Sequence, residues 1–170
     1  MTKLNFLLIV FLLALLTGCG SFPRTPELLR ENVTGGKFYT SKDFFKVKRP
    51  FSKVSSTYKK QAAKCLNKEI NKVWFEGGMT RRTTTRYVPK IKITSRKTIL
   101  TIQDRKVSGS KELGSPPADG FYRIVADVTP ISKNVTSVKI YKQHPALEPV
   151  IMALRDWATG KNLECPDFTK

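Results

Sequence analysis

The chain has 170 residues, with 31 lysines and arginines against 13 aspartates and glutamates and a formal net charge of +18. That length suits one domain with a real core, and the charge selects anionic partners without saying anything about fold.

The chain opens with Lys3, an apolar run from Phe6 to Leu16, and small residues at Thr17 and Gly18. This is the layout of a secretory leader, because a membrane-crossing helix needs roughly 20 apolar residues. Its end, Leu16-Thr17-Gly18-Cys19, resembles the lipobox of bacterial lipoproteins. The resemblance covers the leader alone. It implies that Cys19 carries a diacylglycerol thioether, that residues 1–18 are removed before it, and that the new N-terminus is acylated, for instance by palmitate. Two or more acyl chains make such an anchor stable, whereas one binds only marginally. Gly20 follows the cysteine where an aspartate would mark retention. The resemblance therefore implies the periplasmic face of the bacterial outer membrane, with the inner membrane and the cell surface as the alternatives.

Residues 19–42 read as the lipidated N-terminus and a flexible tether, because Pro23, Pro26, Gly35 and Gly36 punctuate a polar stretch. A single domain is expected over 43–170. It begins with a short strand through Phe44, Phe45 and Val47. Pro50 then introduces a helix, with Ser52 as its N-cap. Val54, Tyr58, Ala62, Leu66 and Ile70 recur every fourth residue, so the helix is expected to run to about Val73 before Gly77-Gly78 breaks it. Trp74 and Phe75 are expected to close over the core.

Between Arg81 and Lys97 the residues alternate. One parity holds Arg82, Arg86, Lys90, Lys92 and Arg96, and the other holds Tyr87, Ile91 and Ile93. Successive strand side chains point to opposite faces, so this strand is basic on one side and apolar on the other. Pro89 cannot donate to a ladder and marks an edge or a bulge. A turn at Ser95–Lys97 leads to a strand over Thr98–Gln103, and residues 104–120 read as a long polar loop. Phe121–Thr129 alternates again with Tyr122, Ile124, Ala126 and Val128 inward, and Val135–Lys142 returns with Val138 and Ile140 inward. Leu147, Val150, Ile151, Leu154, Trp157 and Ala158 then mark a second helix, with Gly160 at its C-terminal cap.

With Cys19 lipidated, Cys65 and Cys165 remain as an even pair in an oxidising compartment, which favours a disulfide between them. The fold class expected is α+β, an antiparallel sheet of four to five strands with two helices on one face, in the order β-α-β-β-β-β-α. That order resembles the small helix-grip domains of some outer-membrane assembly lipoproteins, a fold-level likeness only.

No motif carries catalysis. His144 stands alone in a loop, and no nucleophile elbow, His-Glu-x-x-His, Cys-x-x-Cys or phosphate-binding glycine loop occurs. No catalytic residue, cofactor or metal is therefore expected, and Asn32 and Asn134 begin chance sequons. Two functions are left. One is a structural, assembly or adaptor role that holds another envelope protein at the membrane. The other is a binding module for an anionic envelope lipid, glycan or cell-wall polymer, with Arg82, Arg86, Lys90, Lys92 and Arg96 on the basic face. That parity has no interleaved aromatics to stack bases, which argues against nucleic acid.

Overall fold

The computed structural model describes residues 22–37, 39–76, 79–108, 120–143 and 147–168; of residues 72, 74–76, 79–83 and 108 it describes the backbone alone. Cys19, His144 and the side chains of Trp74 and Phe75 lie outside that description.

Alternating sequences build six strands, β1 (Thr40–Val47), β2 (Glu69–Glu76), β3 (Met79–Ile93), β4 (Thr98–Ser108), β5 (Phe121–Ser132) and β6 (Val135–Gln143). They form one antiparallel sheet in the order β1-β6-β5-β4-β3-β2. Three helices accompany it, α1 (Pro26–Thr34), α2 (Phe51–Cys65) and α3 (Glu148–Thr159).

One face of the sheet carries Val47, Tyr87, Leu100, Ile102, Ile124, Ala126, Val128, Val138 and Ile140, and buries them under α2 and α3. Val54, Tyr58, Ala62 and Cys65 come from α2, and Val150, Ile151, Leu154, Trp157 and Ala158 come from α3. Each large aliphatic or aromatic side chain buried this way contributes roughly 1.5–3 kcal/mol. The two helices are joined by the buried Tyr58 hydroxyl, which donates to the Leu154 carbonyl at 2.9 Å. Gly160 ends α3 at φ 76°, the left-handed conformation such a cap requires. Arg49 completes the cap by donating to the carbonyls of Trp157 and Ala158 at 3.0 and 2.9 Å.

The α+β class and the antiparallel sheet agree with the sequence, but the count and layering differ. There are six strands and a third helix, because α1 forms inside the stretch expected to be a tether. It packs on the other face of the sheet, where Leu29 and Val125 are both fully buried. Arg30 there grips Asp127 of β5 with Nε at 3.0 Å and Nη2 at 2.8 Å. Helices therefore cover both faces. The first long helix stops at Cys65, and Ile70 and Val73 belong to β2, which pairs with β3 from Glu69↔Arg86 to Glu76↔Met79. Its N-cap is Pro50 and not Ser52, with no side-chain cap. Strand β4 continues to Ser108, into the stretch expected to be a loop.

Tyr122 turns away from the core face. The β4–β5 register shifts between Ile102↔Ile124 and Gln103↔Tyr122, leaving Arg123 as an extra residue in β5. Pro89 sits where only β4 is its neighbour, since β2 pairing ends at Arg86, so its missing N–H costs no ladder bond.

Candidate functional site

Like charges meet across β3 and β4. Their register places Arg86 directly opposite Arg105, and Thr85 opposite Lys106. Residues opposite each other in an antiparallel pair share a face, and like charges placed so cost up to about 1 kcal/mol. Neither guanidinium relieves this with a carboxylate among the described residues. Arg86 donates from Nε to the Asn67 amide oxygen at 3.2 Å. Arg105 donates from Nε and Nη2 to the Gln103 amide oxygen at 3.2 and 3.0 Å. Neutral oxygens thus orient both groups without cancelling their charge, and Glu69 stands across β2 from Arg86 without closing an ion pair. Gly120 lets the chain pass beside this pair: at φ 77° it has no Cβ, which would stand 2.8 Å from Arg105 Cγ and 2.5 Å from the Asp104 carbonyl oxygen.

These groups line an open cleft of about 710 Å³ between the α2–β2 connection and the β3–β4 pair, with Ala63, Asn67, Val88, Pro89, Lys106 and Val107 as the rest of its wall. Cations beside a partly apolar wall suit an anionic head joined to a carbon-rich body. An anion placed between the two arginines would replace their repulsion with two charge-assisted hydrogen bonds, the stronger kind.

The five basic residues singled out by alternation are not one cluster. Arg86 lies in the cleft. Lys90 and Lys92 share its face but stand along β3, exposed and opposite Thr101 and Ile99. Arg96 leaves the strand altogether and sits in the turn from Thr94 to Lys97, where its N–H approaches the Thr94 hydroxyl at 3.4 Å. Arg82 is carried by β3 opposite Val73, beyond the last β4 partner of that strand, Ser108 opposite Thr84. Two residues the sequence did not single out, Arg105 and Lys106, complete the cleft. The signal available was the hairpin register itself, which brings Arg105 against Arg86 once β4 is allowed to run past Gln103.

Elsewhere the carboxylates are spent on structure. Asp127, nearly buried, is held by Arg30 and by Lys97 at 3.1 Å. Burial opposes the Arg30 charge, but its hydrogen bond to Asp127 and the attraction of that carboxylate outweigh the penalty and raise its pKa. Asp104 is held by Arg123 at 3.1 Å. Asp43 pairs with Arg155 at 2.9 Å, and Glu148 pairs with Lys142 at 2.8 Å. These ion pairs engage Asp43, Asp104, Asp127 and Glu148, while Arg86 and Arg105 donate to the amide oxygens of Asn67 and Gln103.

The Cys65–Cys165 disulfide is present, with sulfurs 2.03 Å apart. Beside it, Met152, Asp156, Glu164 and Asp167 help line a second cleft of about 390 Å³. No group of three or more histidine, cysteine, aspartate or glutamate side chains among the described residues is placed to hold a metal ion. No helix among them is long and apolar enough to cross a membrane. No protein-family model matches the chain, and no curated protein or solved structure matches it either.

Proposed function

We propose that the chain is a bacterial envelope lipoprotein, held at the periplasmic face of the outer membrane by acyl groups on Cys19, whose body binds an anionic envelope ligand in the Arg86–Arg105 cleft. The single observation that carries the binding role is the opposed arginine pair, aimed into a cleft and oriented by neutral amides. The lipobox-like end of the leader supports the anchor. Hydrogen bonds to charged groups contribute roughly 1.5–3 kcal/mol each, so two guanidiniums suffice for a ligand of moderate affinity.

The test titrates the detergent-solubilised protein with inorganic phosphate and with glycerol phosphate while the arginine side-chain Nε–H resonances are followed. Saturable shifts at Arg86 and Arg105 are expected, with affinity falling roughly tenfold or more in Arg86→Gln/Arg105→Gln. Uniform, unsaturable shifts over all surface cations would leave the cleft no more than solvated charge.

An adaptor role is the second reading, and one feature favours it. Strand β2 is a sheet edge, Val73 on it is exposed, and the β2–β3 ribbon runs on beyond the last β4 pair. Such an edge is what a partner strand adds to. Crosslinks in intact cells from residues 69–76 to one stoichiometric envelope protein would favour it over anion binding.

A further inference from the structure

The described chain begins at the same end of the sheet as the arginine pair. The Tyr122 N–H donates to the Pro23 carbonyl at 2.8 Å, and the Phe22 and Phe121 rings lie 4.8 Å apart. Phe121 is paired with Asp104, the neighbour of Arg105, and Asp104 is paired with Tyr87, the neighbour of Arg86. Two strand spacings, roughly 10 Å, therefore separate the backbone of Phe121, on which Phe22 packs, from that of Tyr87, the neighbour of Arg86. Cys19 precedes Phe22 by three residues, and three residues reach at most about 11 Å. Whatever path they take, acyl chains on Cys19 bring this end of the sheet to the lipid surface.

What that end exposes suits such a surface. Phe22 is 38% exposed, Val107 50% and Tyr39 62%. Tyr39 stands just ahead of Thr40↔Gln143, the pair that closes β1 against β6 at this end. Aromatic rings and long cations together match the boundary between headgroups and acyl chains, where the ring or stem meets carbon and the charge meets phosphate. The opposite end, at the β3–β4 and β5–β6 turns, also has exposed apolar residues in Ile93 and Ile131 and cations at Lys133 and Arg96, but the described chain begins at the other end, with Phe22 on Phe121.

We propose that the anchored protein stands with the Phe22–Tyr39–Val107 end on the bilayer, so that Arg86 and Arg105 take the phosphate headgroups of the membrane that holds Cys19. Anchor and cleft are then two halves of one attachment, the acyl chains fixing distance and the arginines fixing orientation. This rests on acylation of Cys19 and on anion binding in the cleft, as proposed above.

The test uses the lipidated protein in phosphatidylcholine vesicles with and without phosphatidylglycerol. A photoreactive benzophenone side chain replaces Tyr39 in one variant and Ile131 in another, and crosslinking to lipid is read by mass spectrometry. With phosphatidylglycerol, lipid adducts are expected at position 39 well above those at 131. At about 1 kcal/mol for each cation near an anionic surface, adding Arg86→Gln/Arg105→Gln should lower that ratio by roughly thirty-fold. Omitting phosphatidylglycerol should lower it in the same direction. Equal yields at the two positions, or a ratio indifferent to both changes, would overturn the proposal. Should phosphate still shift the Arg86 and Arg105 resonances while position 39 stays lipid-free, anion binding stands and the orientation is wrong. An intact mass without acyl groups on Cys19 would remove the anchor and the orientation together.

Discussion

Tyr87 sits one residue from the cleft and faces the other way, into the core, 2% exposed and with its ring 5.7 Å from that of Phe168. Burial, with the negative charge of Asp104 adding to it, pushes its phenol from the ordinary 10 up to about 12. Between those two values the unfolded chain has released the proton that the folded chain keeps. Stability therefore falls as pH rises through that window, by about 1.4 kcal/mol per pH unit for one such group. Below the unfolded value nothing is lost. Tyr87→Phe should remove this share, giving a shallower decline from pH 10 to 12 in urea titrations; parallel pH profiles for the two proteins would show that Tyr87 ionises in the folded state as readily as in the unfolded. The neighbouring cleft was half legible in the sequence. Alternation marked Arg86, because an apolar parity beside it announced a strand. Arg105 was hidden because Gln103, Asp104, Arg105 and Lys106 are polar on both parities. That break in the pattern has a physical cause, since Asp104 is held by Arg123 on the Tyr87 side while Arg105 faces the cleft.

At the scale of elements, α1 is the sharpest difference between sequence and structure. Its start signals were present: Thr25 accepts from the Leu28 N–H at 3.1 Å, Pro26 opens the helix, and Glu27 is in the first turn. Pro23, Gly35 and Gly36 around it read as a linker, and nine residues are too few for helical periodicity to outweigh them. The helix is held by packing and by the Arg30–Asp127 pair, which no local pattern announces because the partners are 97 residues apart. Leu29, fully buried, provides the measurement. Leu29→Ala should cost about 3 kcal/mol of unfolding free energy if α1 is part of the folded body. A loss under about 0.5 kcal/mol, the range of surface substitutions, would mean that the segment is a tether after all. The boundary between α2 and β2 was illegible for a different reason. Ile70 follows Leu66 by four residues, so it extends the helical stripe and begins strand alternation equally well, and only pairing with β3 decides between them. Helix α3, by contrast, was legible, because Gly160 closed a stripe whose six apolar residues, from the N-cap Leu147 to Ala158, are all buried.

For the whole molecule, the disulfide decides how firmly the two ends of the core are joined. Cys65 ends α2, and Cys165 lies in the tail after α3, at a sequence separation of 100. That span encloses β2 through β6 and α3, so the crosslink constrains the unfolded chain across most of the sheet. The tail it holds also accepts a hydrogen bond from Trp157 Nε1 at the Glu164 carbonyl, 3.0 Å away, and lays Phe168 against Tyr87. On the chain-entropy account a loop of this size is worth about 4–5 kcal/mol, out of the 5–15 kcal/mol that separates folded from unfolded domains. Cys65→Ala/Cys165→Ala, which leaves neither partner as a free thiol, should therefore lower the urea midpoint by a large fraction of its value with the denaturant slope unchanged or higher. It should also loosen the tail enough for Trp157 fluorescence to move toward longer wavelength before the main transition. A variant that unfolds at the wild-type midpoint would show that packing of α2 and α3 alone sets the stability, and that the crosslink serves only to retain residues 161–168 against the core.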